Sequence, residues 1–113
     1  MAHTSPRAYD DAHLWKALEE ARQRGDESEV RRCRAAIVDF HMGYWKRYAV
    51  STHREKRTNN LEEYLQEVVL IATEQVDRYD PARGIPFPSF CRAALQRARQ
   101  RLEAQEGDFS IGA

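Results

Sequence analysis

Apolar residues recur at the spacing of an α-helix along most of this chain, and this pattern limits the folds that it can form. Leu14, Trp15, Leu18 and Ala21 are one example, since they fall on one face of a helix. Alternation of apolar and polar residues, which a half-buried strand requires, never continues beyond three or four positions. With 113 residues the chain is long enough for one domain with a single core. The sequence therefore predicts an all-α fold, a compact bundle of about four helices.

Capping residues and breaks in the apolar pattern give the expected helix boundaries. The predicted helices run from about Asp10 to Arg24, from Asp26 or Ser28 through Tyr48, from Leu61 through Val76 and from near Pro88 to Gly107. The polar segment 51–59 is predicted to be a mobile connection, because it has no apolar anchor. We expect a flexible amino-terminal tail over residues 1–9, a single helical domain over 10–107 and a carboxy-terminal tail over 108–113.

The charges are separated along the chain although the formal net charge is zero. Lys and Arg against Asp and Glu number 4 and 7 in residues 1–30, 8 and 2 in 31–57, 1 and 6 in 58–80, and 5 and 3 in 81–113. Such blocks favour two partners of opposite charge, a basic protein surface for an acidic helix and phosphates for basic helices. The alternative is solvated helix faces of mixed sign that keep the protein in solution.

Several classes of function find no support in the sequence. No apolar run is long enough for a transmembrane helix or for the core of a signal peptide, so we expect a cytoplasmic protein. Cys33 and Cys91 lie in apolar helical patterns and are expected to be small buried side chains. The four histidines form no metal-binding motif, and neither a glycine-rich phosphate loop nor a GxSxG elbow is present. We therefore expect no catalytic residues, metal or cofactor, and no enzymatic activity.

The stretch Asp77–Phe90 (DRYDPARGIPFPSF) is the most informative part of the sequence. Pro81 disfavours a helical Asp80, Gly84 permits positive φ, and Pro88 fits the first turn of a new helix. Around this turn, arginines stand beside aromatic rings and a hydroxyl: Arg83, Phe87, Ser89, Phe90 and Arg92. Arginines contact phosphates and exposed rings stack on unpaired bases, so the segment predicts a surface for single-stranded nucleic acid. The competing interpretation makes Phe87 and Phe90 core anchors, and for Phe87 it is favoured.

Three motifs in order resemble region 2 of bacterial sigma factors of the sigma-70 family, in particular the alternative sigma factors. They are Asn60–Glu67 (NLEEYLQE), Asp77–Gly84 (DRYDPARG) and Phe87–Phe90 (FPSF), where the family typically reads DLVQEG, FDPERG and FSTY. Upstream, Glu20–Glu27 is similar to the helix-Gly-Asp entry into the same domain. The resemblance covers roughly residues 14–110 and implies a sigma region 2-like helical domain.

The resemblance also implies roles for individual residues. Those matching the helix that docks on the coiled coil of the polymerase's largest clamp subunit are Leu61, Glu63, Gln66 and Glu67. Those around the pocket for a flipped base of the promoter −10 element's non-template strand are Arg83, Phe87, Ser89 and Phe90. Arg92, Arg97 and Arg99 match positions that contact duplex DNA. Without the resemblance, the glutamates would be equally well explained as a solvated helix flank.

The chain also departs from the family pattern. Ala93 and Ala94 replace two consecutive tryptophans of housekeeping sigma factors, which disfavours independent promoter melting. Val68 stands where the family has glycine after Gln-Glu, a change expected to alter the fit to polymerase. Nothing up to Ala113 resembles the helix-turn-helix that reads the −35 element. We therefore expect either a fragment or a protein that works with a separate −35-reading subunit.

Two functions are consistent with these residues. The first is a transcription initiation factor domain that binds RNA polymerase core and recognises the −10 element. The alternative is a sigma-like co-factor or decoy that binds polymerase, or an anti-sigma protein, without reading promoter DNA. The two alanines and the zero net charge favour the alternative, whereas the arginines of the last helix favour the first. A helical protein that shares only the fold remains a third interpretation.

Overall fold

All regular structure in the described part of the chain is helical. The structure, a computed structural model, describes the backbone of residues 8–56 and 60–112 and the side chains of residues 10–52 and 60–100. The α-helices are α1 (Ala12–Arg24), α2 (Glu27–Phe40), α3 (Met42–Lys56), α4 (Leu61–Gln75) and α5 (Phe87–Gly112). Short 3₁₀ helices cover Ala8–Asp11, Val76–Arg78 and Pro81–Arg83. The all-α prediction is confirmed.

The predicted caps begin and end several of these helices. The Asp26 carboxylate accepts a hydrogen bond from the N–H of Glu29 at 3.1 Å, and the Asn60 side chain accepts one from the N–H of Glu63 at 3.1 Å. At the end of α1, Gly25 has a φ of +70°, and its N–H bonds the carbonyls of Ala21 and Arg22. These caps place the amino ends of α2 and α4 where the sequence predicts them.

The predicted long second helix is wrong, because His41 divides it into α2 and α3. Helix α2 ends with His41 as its cap, whose backbone has φ −100° and ψ 18°. The N–H of His41 donates to the carbonyl of Val38, three residues earlier, at 3.1 Å. Its imidazole is held by the buried carboxylate of Asp11, 2.7 Å away. A contact between residues 30 positions apart leaves no trace in local helical spacing. The bundle consequently has five α-helices among the described residues, against the predicted number of about four.

Other predicted boundaries also shift. Residues 51–56 belong to α3 and are not a connection, while 57–59 lie outside the described residues. Helix α5 continues through Gly107 to Gly112, so this glycine does not end it; glycine inside a helix costs only about 1 kcal/mol relative to alanine. The tail predicted over residues 1–9 is described only from Ala8, where a 3₁₀ helix begins.

The core lies between all five helices. Helix α1 packs on α2, α3 packs on α4, and α4 also contacts α5 and α2. The largest side chains without solvent exposure are Trp45, Phe87, Leu18, Ile37, Leu95 and Val68. Most apolar residues of the described parts of α4 and α5 are buried or half-buried, but Leu61 and, in α2, Phe40 are 38% and 42% exposed. No helix within the described residues is long and apolar enough to cross a membrane.

Candidate nucleic-acid interface and acidic helix face

A capped turn connects α4 to α5. The carboxylate of Asp80 accepts a hydrogen bond from the N–H of Ala82 at 3.0 Å, and the N–H of Arg83 donates to the carbonyl of Asp80 at 3.1 Å. Gly84 has a φ of +78°, and its N–H donates to the carbonyl of Pro81 at 3.3 Å. The predicted non-helical Asp80, positive φ at Gly84 and Pro88 in the first turn of α5 are confirmed. The turn therefore fixes the direction in which α5 leaves it.

Tyr79 fastens this turn to the core. Its ring lies 4.7 Å from the ring of Trp15 and 5.3 Å from that of Phe87, measured between centroids. Its hydroxyl donates a hydrogen bond across the turn to the carbonyl of Ile85. Burial raises the pKa of Tyr79, which keeps the hydroxyl protonated and able to donate. One side chain thus joins the start of the turn, its end and the core.

The two phenylalanines of the FPSF motif have different environments. Phe87 is completely buried, with its ring between those of Trp15, His41 and Trp45. It cannot stack on a base while this packing persists, as the favoured core interpretation predicts. Phe90 is only half-buried, and its ring lies 5.4 Å from that of Tyr79. Only the second ring therefore remains accessible to a ligand.

Several residues close to Phe90 in the sequence are exposed. Arg83 and Ser89 are exposed, and Ile85 at the end of the turn is 45% exposed. The sequence prediction did not include Ile85, although its isolation between Gly84 and Pro86, outside any helical stripe, was a signal. The turn thus presents a cation, a hydroxyl, an aliphatic side chain and part of one aromatic ring.

The outer face of α5 continues this surface. Its exposed residues follow helical spacing: Ser89, Arg92, Ala93, Gln96, Arg97 and Gln100. The segment 87–100 contains three arginines and no acidic residue. Arg92 approaches Tyr44 of α3; burial raises the pKa of Tyr44, and the positive charge of Arg92 opposes that rise. We call the surface formed by the turn and these residues the cationic face.

Arg99 belongs to a different environment from Arg92 and Arg97. It is half-buried and lies near Tyr64 of α4. Burial raises the pKa of Tyr64 to about 12, while the positive charge of Arg99 acts to lower it. The structure thus places Arg99 in the packing between α4 and α5, so it is less available to DNA than the other two arginines.

The outer face of α4 has the opposite charge. Its exposed residues are Leu61, Glu62, Glu63, Gln66, Leu70 and Glu74, and Glu67 is half-buried at its edge. The helix contains four glutamates and no lysine or arginine. Leu70, 53% exposed, lies one turn from both Gln66 and Glu74. The sequence prediction omitted Leu70, which falls outside the apolar stripe of α4. We call this surface the acidic face.

Two polar clusters escaped the sequence prediction altogether. In one, the buried carboxylate of Asp11 accepts hydrogen bonds from Trp15 Nε1 at 2.9 Å and contacts His41 Nε2 at 2.7 Å. In the other, Asp77 binds Arg22 at 2.6 Å and Arg34 at 2.9 Å. Both join residues distant in sequence, and no local pattern indicates such pairs.

The described residues provide charged binding surfaces. Within the described residues, no group of three or more His, Cys, Asp and Glu side chains could hold a metal ion. Burial raises the pKa of Cys91 to about 12, so its thiol is a poor nucleophile at neutral pH. The thiol of Cys33 is also buried, and burial raises its pKa.

Comparison of the chain with family models, with curated proteins and with solved structures found no match.

Proposed function

We propose that this chain is a sigma region 2-like domain that binds RNA polymerase core and captures the single-stranded −10 element of a promoter. The observation that carries the proposal is the opposite charge of α4 and of the first half of α5, residues 87–100. The acidic face of α4 contains no cation, and the α5 segment 87–100 contains no anion. Oppositely charged surfaces joined by a fixed turn suit two ligands of opposite charge, a basic protein surface and a nucleic acid.

The cationic face suits an unpaired strand. Arg92 and Arg97 are both exposed residues of the cationic face, so both guanidinium groups are available to phosphates. Flipping a base out of a duplex costs a few kcal/mol, and stacking on an aromatic ring recovers about 1–3 kcal/mol. Phe90 supplies that ring, while Arg83 in the turn and Ser89 at the start of α5 are exposed. Phe87 would contribute indirectly, by holding Tyr79 and the turn in position.

The acidic face suits the polymerase. Exposed Glu63 and Gln66 would contact the basic coiled coil of the largest clamp subunit, and half-buried Glu67 would add charge at the edge. Leu61 and Leu70 add exposed apolar area to this face. The centre of a protein interface is usually apolar, and charged residues alone would not provide such a centre.

Fluorescence anisotropy with a labelled −10-like single strand tests the DNA contact. We expect the chain, together with polymerase core, to bind this strand more tightly than a scrambled one. Substituting both Arg92→Gln and Arg97→Gln should weaken binding about tenfold or more and reduce its salt dependence, because two phosphate contacts are lost. The matched control Lys16→Gln removes an exposed cation of α1 and should change binding less than about twofold. Equal affinity for the two strands would rule out promoter recognition.

Capture of core polymerase on the immobilised chain tests the protein contact. Glu63→Lys, or Gln66→Ala combined with Glu67→Lys, should reduce capture because it places positive charge against a basic surface. Glu20→Lys makes the same charge reversal on exposed α1 and should leave capture unchanged. If the α4 variants capture polymerase as well as the control does, the acidic face is not the docking surface.

A second function is a co-factor or decoy that binds polymerase or an anti-sigma protein without reading DNA. It is favoured because the described part of α5 lacks aromatic residues at two positions where housekeeping sigma factors have them. Phe87 is buried, and the positions of the family's tryptophans hold Ala93, exposed, and Ala94, buried. Retained polymerase capture together with equal affinity for the two strands would select this function.

A further inference from the structure

A small cavity lies at the turn between α1 and α2, and none of its lining residues belongs to the acidic or the cationic face. It encloses about 280 Å³ and is lined by Arg22, Gly25, Glu27, Val30, Arg31 and Arg34. Cavities for drug-sized ligands usually begin at about 300 Å³, so this one suits a smaller group. Three of its six lining residues are arginines, and this charge indicates an anion.

Two arginines of this cavity already bind one anionic group. Arg22 Nη2 lies 2.6 Å from Asp77 Oδ1, while Arg34 contacts both carboxylate oxygens, from Nε at 3.0 Å and from Nη2 at 2.9 Å. A guanidinium has five N–H donors, so Asp77 uses only part of their capacity. Hydrogen bonds from Arg34 and Arg22 overcome the opposing effect of burial, the largest single influence, and hold the pKa of Asp77 below its ordinary value. The carboxylate is therefore charged at neutral pH.

Arg31 is the uncommitted cation of the cavity. It is exposed, and no ion pair of Arg31 occurs among the described side chains. Glu27 is the only acidic residue in the lining, so the three arginines outnumber Glu27 and Asp77 together. The cavity also adjoins the amino end of α2, which carries partial positive charge.

We propose that this cavity binds the phosphate group of a small phosphorylated molecule, with Arg31 as its principal contact and Asp77 as a competitor for Arg22 and Arg34. A ligand with a single carboxylate gains little, because Asp77 supplies the same group at high effective concentration. A phosphate carries more charge and presents three oxygens in a geometry that arginine forks match. The site is independent of the proposed polymerase and DNA contacts.

Titration calorimetry of the full chain with inorganic phosphate and with pyrophosphate at low salt tests this site. Arg31→Gln should weaken binding about tenfold. The matched control is Arg32→Gln, the neighbouring arginine, which does not line the cavity, is 77% exposed and pairs with Glu29. It should weaken binding less than about twofold. If the two variants lose the same affinity, binding depends only on general positive charge, and the proposal is overturned.

Asp77→Asn tests the competition. Removing the internal carboxylate should tighten pyrophosphate binding several-fold, because Arg22 and Arg34 become available to the ligand. An unchanged or weaker affinity would show that the ligand does not share these arginines and would overturn the proposal. A short single-stranded oligonucleotide serves as the comparison ligand. If it alone binds in an Arg31-dependent way while pyrophosphate does not, the cavity contacts a nucleic-acid backbone and the small-molecule assignment is wrong.

Discussion

At the scale of single residues, the buried carboxylate of Asp11 is the most consequential group of the structure. It is only 5% exposed, and its Oδ2 atom satisfies Trp15 Nε1 and His41 Nε2 together. A buried polar group without a partner costs more than its hydrogen bond contributes, so Trp15 and His41 both depend on Asp11. This cluster ties the 3₁₀ helix before α1 to the break between α2 and α3.

We predict that Asp11→Ala lowers the free energy of unfolding by about 2–4 kcal/mol, because it leaves the Trp15 and His41 nitrogens buried without their acceptor. Denaturation by urea, followed by circular dichroism, measures the change. Asp39→Ala is the control, since Asp39 is an exposed residue of α2, and it should alter stability by less than about 0.5 kcal/mol. Similar losses in both variants would contradict a special role for Asp11.

We also predict that neither Cys33 nor Cys91 reacts quickly with a disulfide reagent at about pH 8 in the folded protein. Burial blocks access to both thiols and raises their pKa, that of Cys91 to about 12, so little thiolate forms. Both should react within minutes in urea. Rapid titration of one thiol in the native protein would show that the packing around it opens readily.

At the scale of elements, the sequence predicts the features that depend on residues close together in the chain, such as helix caps and turns. The caps Asp26 and Asn60, the positive φ of Gly84 and the buried faces of α4 and α5 depend on neighbours within about one helical turn. The structure has the caps and the positive φ, and most of the two buried faces. The features that the sequence did not predict, or left open, depend on contacts between residues far apart in the chain. The break at His41 follows from its contact with Asp11, and the burial of Phe87 follows from packing between helices distant in sequence.

The same distinction applies to the candidate interfaces. Exposure on α4 and α5 follows from helical spacing, so Glu63, Gln66, Arg92 and Arg97 could be assigned to outer faces from the sequence. Arg99 was assigned with them but is half-buried. Leu70 and Ile85 were missed because residue type, rather than position, guided the selection.

Two glycines allow a paired test of the turn. Gly84→Ala should destabilise the protein by about 1–2 kcal/mol, because φ is +78° and an L-residue is strained there even though the space is open. Gly43→Ala, inside α3, should be neutral or stabilising by up to about 1 kcal/mol. Its added Cβ would meet only the flexible end of Arg47, at 3.4 Å. Thermal unfolding measures both; equal effects would mean that the turn does not depend on the left-handed conformation.

At the scale of the whole molecule, Phe87 connects the parts of the fold. Its ring contacts rings from α1, from the α2–α3 break, from α3 and from the turn: Trp15, His41, Trp45 and Tyr79. A single aromatic centre shared by these elements favours cooperative unfolding, since none of them can leave without exposing it.

Phe87→Ala should therefore lower the free energy of unfolding by about 3–5 kcal/mol, a large part of the stability of a small domain. Tryptophan fluorescence and circular dichroism, recorded on the same samples, should show one shared transition. Phe90→Ala is the control, because that ring is half-buried, and it should cost less. If Phe90→Ala proved the more destabilising variant, the core would be centred elsewhere. Two separated transitions in the unsubstituted protein would contradict the shared centre.

The hydrogen bond from Tyr79 to the carbonyl of Ile85 has a consequence for recognition. It closes the Asp80–Gly84 turn into a small ring of chain whose conformation is already set before any partner arrives. A flexible loop loses conformational entropy when it binds, and that loss reduces affinity. Here the turn has already lost much of its conformational entropy during folding, so a nucleic-acid strand would bind a preorganised surface. The hydroxyl of Tyr79, through its bond to the carbonyl of Ile85, would thus contribute to the affinity of the surface for its ligand.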